Sequence, residues 1–291
     1  MNPYDRESDN ARILTKLSIY LNEHSDFVSK EMVCSLSEEF GVSKRDAFGL
    51  LLAGGMDMDV LENARDARIF REDFPRMLRC LSYEEFQSDP YYQNISVPDA
   101  RIGACELAHE TLSAYEAFVC DDRKTFPDGA SLPQIGYFER DFRYPVLREG
   151  GRVWMSVTPC EVATVAPAAK AAHGRALTLG LGLGYFMYMA SLNPNVKTVS
   201  AVEKNEDVIR LFETKILPQF PNADKVRILR GDAFQLTPEL YRSGEYDFVF
   251  ADTWHDAGDG VPMYEKLKQM ESLAPNMEFS YWIEETLKSY L

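Results

Sequence analysis

The second half of the chain alternates short apolar segments with helix-compatible ones, and this alternation limits the possible fold more than any other feature. The apolar segments are predicted strands at residues 175–179, 198–202, 226–229 and 248–251, and a helix-compatible segment follows each of them. Strands that are apolar almost throughout are typical of a parallel sheet covered by helices on both faces. The pattern therefore predicts an α/β domain with a mostly parallel sheet over residues 161–291.

A glycine run, Gly180-x-Gly182-x-Gly184, lies between the first predicted strand and its helix at residues 185–192. Glycine permits positive φ and carries no Cβ that would block a ligand from the backbone. The helix N-terminus that follows presents unpaired N–H groups. Such a turn either packs a helix against a strand or binds a cofactor, and the run by itself leaves both interpretations open.

Acidic residues follow the next three predicted strands in order, as Glu203, Asp232 and Asp252. Glu203 lies roughly 20 residues after the glycine run, the spacing of an acid that accepts hydrogen bonds from ribose hydroxyls. Each acid taken alone could instead cap a helix or begin a turn. Because ligands bind beyond the carboxyl ends of parallel strands, acids at consecutive strand ends favour a ligand site.

Four segments together resemble the class I S-adenosylmethionine-dependent methyltransferases over about residues 174–275. They read Leu-Gly-Leu-Gly-Leu-Gly, Val-Glu-Lys-Asn, Gly-Asp-Ala-Phe and Tyr-Asp-Phe-Val-Phe-Ala-Asp. The resemblance implies a Rossmann-like sheet that binds S-adenosyl-L-methionine, with the glycine turn on its methionine part, one acid on the ribose and one on the adenine amino group. The implied cofactor-binding residues are Gly180, Gly182, Gly184, Glu203, Asp232 and Ala233.

One departure points to a particular branch of that superfamily. Many methyltransferases carry an acid two residues before the first glycine, where this chain has Thr178. In that departure the chain resembles the spermidine synthase branch, as it does in its Arg-Gly-Asp-Ala-Phe and Asp252-Thr253-Trp254 segments. Members of this branch place a small β-rich segment before the sheet. A hairpin predicted within residues 135–157, turning at Glu149-Gly150-Gly151, is its expected equivalent.

The spermidine synthase resemblance implies a catalytic role for Asp252, at the position of the acid that deprotonates the attacking amine. It also implies decarboxylated S-adenosylmethionine as the alternative cofactor. The Ser-Ser-Asp-Pro that follows this acid in aminopropyltransferases is replaced here by Thr253-Trp254-His255-Asp256. The resemblance therefore leaves the acceptor substrate undefined.

The residues after Asp252 permit other interpretations. His255 beside Asp256 is a second candidate catalytic base, because histidine titrates near neutrality and a carboxylate orients it. Trp254 either stacks on a ligand or anchors the loop, and residues 258–260 are expected to form a mobile lid. Asp252, Asp256 and Asp259 could ligate Mg²⁺ or Ca²⁺, but the alternating pattern of a calcium loop is missing, and no metal site is predicted.

The first part of the chain is expected to be a separate helical domain at residues 1–125, joined by residues 126–160 to the α/β domain. Helical spacing of apolar residues occurs at residues 13–21, 30–40, 44–52, 65–81 and 102–119. Residues 29–52 resemble a helix-turn-helix, but their second helix carries only Lys44 and Arg45 as basic residues. A formal net charge of −15 also disfavours nucleic acid as a partner.

The remaining composition indicates a cytoplasmic protein without a membrane partner. No apolar run approaches the ~18 residues of a membrane helix, and the polar N-terminus does not resemble a secretion signal. Five scattered cysteines suggest neither disulfides nor zinc. The expected function is transfer from S-adenosylmethionine to a small-molecule acceptor, most simply methyl transfer. Aminopropyl transfer and a non-catalytic, SAM-binding regulatory role are the alternatives. A homodimer is a possible assembly.

Overall fold

The computed structural model describes residues 3–291, with side chains described from residue 5 onward. The chain divides into two compact units that are interleaved in sequence. The first comprises Met1–Glu85 and Thr111–Arg143, and the second comprises Phe86–Glu110 and Tyr144–Leu291.

The first unit contains helices and a small sheet. Predicted helices at residues 13–21, 30–40 and 44–52 are confirmed. The one predicted at 65–81 is two helices separated at Asp73 and ends at Met77, and a short strand begins at Leu78. The sheet has the order β1-β5-β4, with β1 parallel and β4 antiparallel to β5. The elements are α1 (Pro3–Glu23), α2 (Lys30–Phe40), α3 (Lys44–Gly55), α4 (Ala64–Glu72), α5 (Phe74–Met77), β1 (Leu78–Cys80), β4 (Phe118–Thr125) and β5 (Ser131–Tyr137).

The prediction of a helix at residues 102–119 is wrong, and with it the helical assignment of residues 1–125 beyond Asn94. Short helices α6 (Tyr83–Gln87) and α7 (Pro90–Asn94) are followed by strands β2 (Ala100–Ile102) and β3 (Cys105–Leu112). Cys105 and Leu107 are both buried, whereas Glu106 and Ala108 are half-buried. Burial therefore alternates with the two-residue period of a strand. The antiparallel pairing of β2 with β3 holds these residues in that strand conformation.

The predicted hairpin is confirmed within a four-stranded sheet of order β2-β3-β6-β7. Strands β6 (Phe142–Glu149) and β7 (Arg152–Ser156) pair antiparallel, and Gly150 and Gly151 between them have φ of 60° and 85°. Two consecutive residues at positive φ are the requirement of a tight hairpin turn that matches the twist of its strands.

The predicted parallel sheet is confirmed at all four predicted strands, and a fifth strand, Glu278–Tyr281, extends it at one edge. Its order is β10-β9-β8-β11-β12, and every neighbouring pair is parallel. Strand order reverses at β8, whose two neighbours follow it along the chain. The strands are β8 (Gly174–Leu179), β9 (Val196–Glu203), β10 (Val226–Arg230), β11 (Phe248–Ala251) and β12 (Glu278–Tyr281).

Helices cover both faces of this sheet. Phe248 and Phe250 of β11 join one apolar cluster with α8–α10, whereas Val249 and Ala251 join another with α11–α13. The strands are buried on both sides, which is why they read as continuous apolar runs. The helices are α8 (Pro159–Ala171), α9 (Tyr185–Leu192), α10 (Glu206–Leu211, continuing as a π-helical turn over Phe212–Ile216), α11 (Ala233–Arg242), α12 (Ala257–Met270) and α13 (Glu284–Lys288).

Residues 258–260, predicted to form a mobile lid, lie in the first turn of α12. Asp256 caps this helix: its Oδ1 accepts a hydrogen bond from the Gly258 N–H at 2.6 Å, and Asp259 accepts in return from the Asp256 N–H at 3.0 Å. A reciprocal capping box of this kind stabilises a helix start despite two glycines. Among the residues that the structure describes, no helix combines the length and apolar character needed to cross a membrane.

Candidate functional site

A cavity of about 200 Å³ lies at the carboxyl ends of the parallel strands, at the point where strand order reverses. The strand register brings these ends level, since Leu179 of β8 pairs with Val202 of β9 on one side and with Ala251 of β11 on the other. Residues that follow four different strands therefore meet in one place. The lining residues are Trp154, Met155, Gly180, Leu181, Gly182, Val202, Glu203, Lys204, Gly231, Asp232, Ala233, Phe234, Asp252, Thr253, Trp254 and Met263.

The glycine run serves two purposes. Gly180 and Gly182 line the cavity, whereas Gly184 precedes α9. Gly184 packs against the Phe212 ring, and a Cβ added to Gly184 would lie 2.3 Å from a ring carbon. Gly180 has φ of 102°, and a Cβ on it would lie 2.0 Å from the Asp252 carbonyl oxygen. The run thus packs a helix and also lets two strand ends approach at the cavity.

Glu203 ends β9 and faces the cavity, where the sequence predicted a ribose-binding acid. Its Oε1 accepts a hydrogen bond from the Asn205 N–H at 2.8 Å. Burial raises the pKa of Glu203, although hydrogen bonds from the backbone of Asn205, Leu181 and Lys204 oppose that shift. Its anchoring to the backbone holds the carboxylate in a defined orientation beside the glycine turn.

Asp232 and Ala233 line the same cavity after β10. Asp232 is also the N-cap of α11, and its Oδ1 accepts a hydrogen bond from the Gln235 N–H at 3.1 Å. The capping interpretation and the ligand interpretation are therefore compatible. The cap fixes the side chain and leaves the carboxylate oxygen Oδ2 outside that bond.

Asp252 lines the cavity after β11, and its neighbour Glu161 on α8 was missed from the sequence as a site residue. Burial raises the pKa of Asp252 to about 7. Glu161 is only 6% exposed, and burial followed by the repulsion of Asp252 raises its pKa well above the ordinary value. The two carboxyl groups form an acidic pair next to the cavity.

Unpartnered polar atoms concentrate around this acidic pair. Six buried side-chain N or O atoms lack a hydrogen-bond partner within the described part of the chain, and three of them are Glu161 Oε1, Thr253 Oγ1 and Trp254 Nε1. Buried polar atoms are rarely left unpaired in folded proteins. Two of the three residues, Thr253 and Trp254, line the cavity, and Glu161 interacts with a third lining residue, Asp252.

His255 does not belong to the cavity lining, although it stands close to it. Its ring stacks on Trp154, with ring centroids 5.8 Å apart, and Trp154 lines the cavity with its side chain 44% exposed. The predicted partner Asp256 caps α12 through the Gly258 N–H. Trp254 is 5% exposed and packs under Gly260, so it both anchors α12 and lines the cavity.

Metal ligation is not indicated by the geometry. Asp256 and Asp259 accept backbone hydrogen bonds at the start of α12. Within the described residues, no group of three or more histidine, cysteine or acidic side chains is arranged to hold a metal ion.

Sequence reasoning missed Trp154 and Met155 in the cavity lining and Glu161 as an acid that interacts with Asp252. An acid in the first turn of a helix is an ordinary helix signal, and nothing local distinguishes Glu161 from one. Trp154 and Met155 end the predicted hairpin, and their place beside the glycine turn depends on the tertiary fold. The chain matches no protein-family model, and no curated protein matches it significantly.

Proposed function

We propose that the cavity binds the adenosyl group of S-adenosyl-L-methionine and that the protein is a transferase with a Rossmann-like catalytic domain. The observation that carries this proposal is the meeting of Glu203, Asp232 and Asp252, from three consecutive strand ends, in one cavity bounded by Gly180 and Gly182. Acids after the second and third strands suit ribose hydroxyls and an adenine amino group, both of which donate hydrogen bonds.

The residues at the cavity fit this cofactor chemically. Glu203 and Asp232 are held by backbone hydrogen bonds, which orients them before a ligand arrives. The apolar lining, including Leu181, Phe234 and Met263, suits a purine ring. S-adenosylmethionine supplies an electrophilic carbon on its sulfonium, and the chain's own contribution is alignment, exclusion of water and a base.

Asp252 is the proposed base. It lines the cavity, and a pKa of about 7 is suited to accepting a proton at neutral pH. Methyl transfer to a small-molecule amine or hydroxyl is the function that this arrangement supports best. His255 lies outside the lining and is the less favoured candidate.

Aminopropyl transfer from decarboxylated S-adenosylmethionine is a second candidate, and the acidic lining of the cavity favours it. Three acids, Glu203, Asp232 and Asp252, line the cavity with Lys204 as its basic residue. A cofactor carboxylate near these acids would be repelled, whereas the decarboxylated form carries none. Calorimetric titration with each cofactor form distinguishes the two candidates by their affinity order.

Ligand binding is tested first by calorimetry with S-adenosylmethionine and S-adenosylhomocysteine, with Asp232→Ala as the test variant. Asp256→Ala is the matched control, since both variants remove an N-cap carboxylate but only Asp232 lines the cavity. We expect wild type and Asp256→Ala to bind and Asp232→Ala to lose at least ~10-fold in affinity, the equivalent of one charge-assisted hydrogen bond. No heat and no thermal shift for any adenosyl compound at millimolar concentration would refute the proposal.

A further inference from the structure

Tyr91 contacts the glycine turn, residues 180–184, although it is not part of the cavity lining. It lies on the short helix α7, is 1% exposed and belongs to the apolar cluster on one face of the parallel sheet. Its hydroxyl donates a hydrogen bond of 2.7 Å to the carbonyl oxygen of Leu183, the residue between Gly182 and Gly184. The two partners are 92 residues apart in sequence, so the bond is a tertiary contact made to the turn from behind the cavity.

Asp89, the N-cap of α7, ties the same helix to the start of α9. Its Oδ1 accepts a hydrogen bond from the Tyr91 N–H at 2.8 Å, and its Oδ2 accepts one from the Tyr185 hydroxyl at 2.9 Å. Tyr185 is the first residue of α9, directly after the glycine turn. The rings of Tyr91 and Tyr185 also pack together, with centroids 5.5 Å apart. Helix α7 therefore holds both the turn and the helix that follows it.

One peptide group of the turn, between Leu183 and Gly184, is held at both of its ends. Its carbonyl accepts from the Tyr91 hydroxyl, and its N–H donates to the Leu181 carbonyl at 2.9 Å. Gly184 has φ of 75°, and Gly182, which lines the cavity, has φ of 52°. Glycine populates positive and negative φ about equally, so a glycine-rich turn needs contacts from outside to keep a single conformation. The Tyr91 hydroxyl supplies such a contact directly after Gly182.

We propose that Tyr91 is a positioning residue of the ligand site, whose hydroxyl fixes the Leu183 carbonyl and so holds the glycine turn in the conformation that an adenosyl ligand meets at Gly182. Without the hydroxyl the peptide group is free to rotate, and ligand binding must restore its orientation at a cost in affinity. The fixing of the turn follows from hydrogen bonds within the chain, whereas the identity of the ligand rests on the proposed function.

The test variant is Tyr91→Phe, which removes the hydroxyl and keeps the buried ring. Its matched control is Tyr92→Phe on the same helix, because Tyr92 also donates its hydroxyl to a backbone carbonyl, that of Val157, which is not part of the glycine turn. Each variant deprives one carbonyl of its hydroxyl donor, so both should lower Tm by a similar amount, about 2–6 °C. A general loss of stability would therefore act on both variants alike.

The first measurement is hydrogen exchange of backbone amides in the ligand-free protein, followed by NMR. The Gly184 amide is the reporter, because it belongs to the same peptide group as the Leu183 carbonyl. In Tyr91→Phe its protection factor should fall by about 3–10-fold, the equivalent of one lost hydrogen bond. In Tyr92→Phe it should stay within about twofold of the wild-type value.

The second measurement is calorimetric titration with S-adenosylhomocysteine. Tyr91→Phe should bind about 3–10-fold more weakly than wild type, because the ligand must now order the turn. Tyr92→Phe should bind with wild-type affinity.

Variants of Asp89 give the same test through a second contact and apply even if Tyr91→Phe does not fold. Asp89→Ala removes both the cap of α7 and the partner of the Tyr185 hydroxyl, and it should lower Gly184 protection and ligand affinity as Tyr91→Phe does. Asp89→Asn keeps an N-cap side chain and a polar partner for Tyr185, and it should restore both values to the wild-type level.

Equal protection of the Gly184 amide in wild type and Tyr91→Phe, or an equal loss of protection in Tyr91→Phe and Tyr92→Phe, would overturn the proposal. Unchanged ligand affinity in Tyr91→Phe, when wild type binds, would overturn it as well. If wild type binds no adenosyl compound while the Gly184 amide still distinguishes the two variants, the proposed function fails and the fixing of the turn by Tyr91 is upheld.

Discussion

Replacement of Gly180 by alanine tests whether the glycine run is required by the close approach of two strand ends. Gly180 has φ of 102°, and a Cβ there would lie 2.0 Å from the Asp252 carbonyl oxygen. That oxygen belongs to the backbone and cannot rotate away like a flexible side chain. The variant must therefore move the end of β8 away from β11.

The expected cost is the sum of three effects. An L residue at positive φ costs about 1–2 kcal/mol. Separation of the strand ends also sacrifices the hydrogen bond from the Asp252 N–H to the Leu179 carbonyl, 2.9 Å long, which contributes about 0.5–1.5 kcal/mol. Packing lost where the strand ends separate adds about 1.5 kcal/mol, the equivalent of roughly two buried methylene groups. Gly180→Ala should therefore cost about 3–5 kcal/mol in total, within the range of disruptive core substitutions.

Gly244→Ala is the matched control for this substitution. Gly244 lies in the same unit with φ of 67°, and a Cβ there would meet nothing within 4 Å. Gly244→Ala should lose only the stability that positive φ costs an L residue, about 1–2 kcal/mol. The two variants together separate steric conflict from backbone strain.

Thermal unfolding followed by tryptophan fluorescence is a suitable assay, because Trp154, Trp254 and Trp282 all lie in the second unit. At roughly 2–4 °C per kcal/mol for a domain of this size, Gly180→Ala should lower Tm by about 6–20 °C and Gly244→Ala by about 2–8 °C. Equal Tm losses in the two variants would show that Gly180 is not held against Asp252. The adenosyl ligand should also bind Gly244→Ala but not Gly180→Ala.

Two predictions concern the first unit. Arg6 and Asp73 form a buried ion pair, with Arg6 Nη2 2.6 Å from Asp73 Oδ1 and side chains 4% and 0% exposed. Asp73→Asn should therefore destabilise this unit by about 3–5 kcal/mol, measured by urea unfolding followed by circular dichroism. Asp57→Asn removes the fully exposed acid of an ion pair with Lys16 and should have no measurable effect. The hydrogen bond from Arg12 lowers the pKa of Asp66, and for Asp9 the hydrogen bonds from Arg68 and Arg65 outweigh the burial that would raise its pKa. A lowered folded pKa contributes stability above the unfolded value and loses it as pH falls. The part of the helical circular dichroism that comes from the first unit should therefore be lost below about pH 4 before tryptophan fluorescence changes, and coincident acid transitions would contradict this order.

The parallel sheet could be predicted from the sequence because its strands are buried on both faces. Residues such as Val249 and Phe250 face opposite clusters, yet both must be apolar, and this gives a continuous apolar run. The order of strands and helices along the chain then limits the topology. The carboxylates at the strand ends could be placed because parallel strands share a carboxyl edge.

The antiparallel strands could not be predicted by the same reasoning. Residues 105–112 contain apolar residues at spacings that also suit a helix, and only the pairing of Cys105 and Leu107 with partners in other strands buries them alternately. Periodicity alone does not distinguish the two in short segments. Glu161 was missed for a related reason: its significance depends on Asp252, which is distant in sequence and adjacent in the fold.

The glycine requirement at position 180 and the acid at position 252 form a single structural feature. Gly180 has no Cβ, so the Asp252 backbone can approach β8, and the same approach places the Asp252 side chain in the cavity beside Glu161. Gly180 approaches the backbone of Asp252 and not its side chain, so Asp252→Asn should retain the strand geometry and ligand binding. Gly180→Ala should lose both, and this contrast links the backbone of the turn to the chemistry of the site.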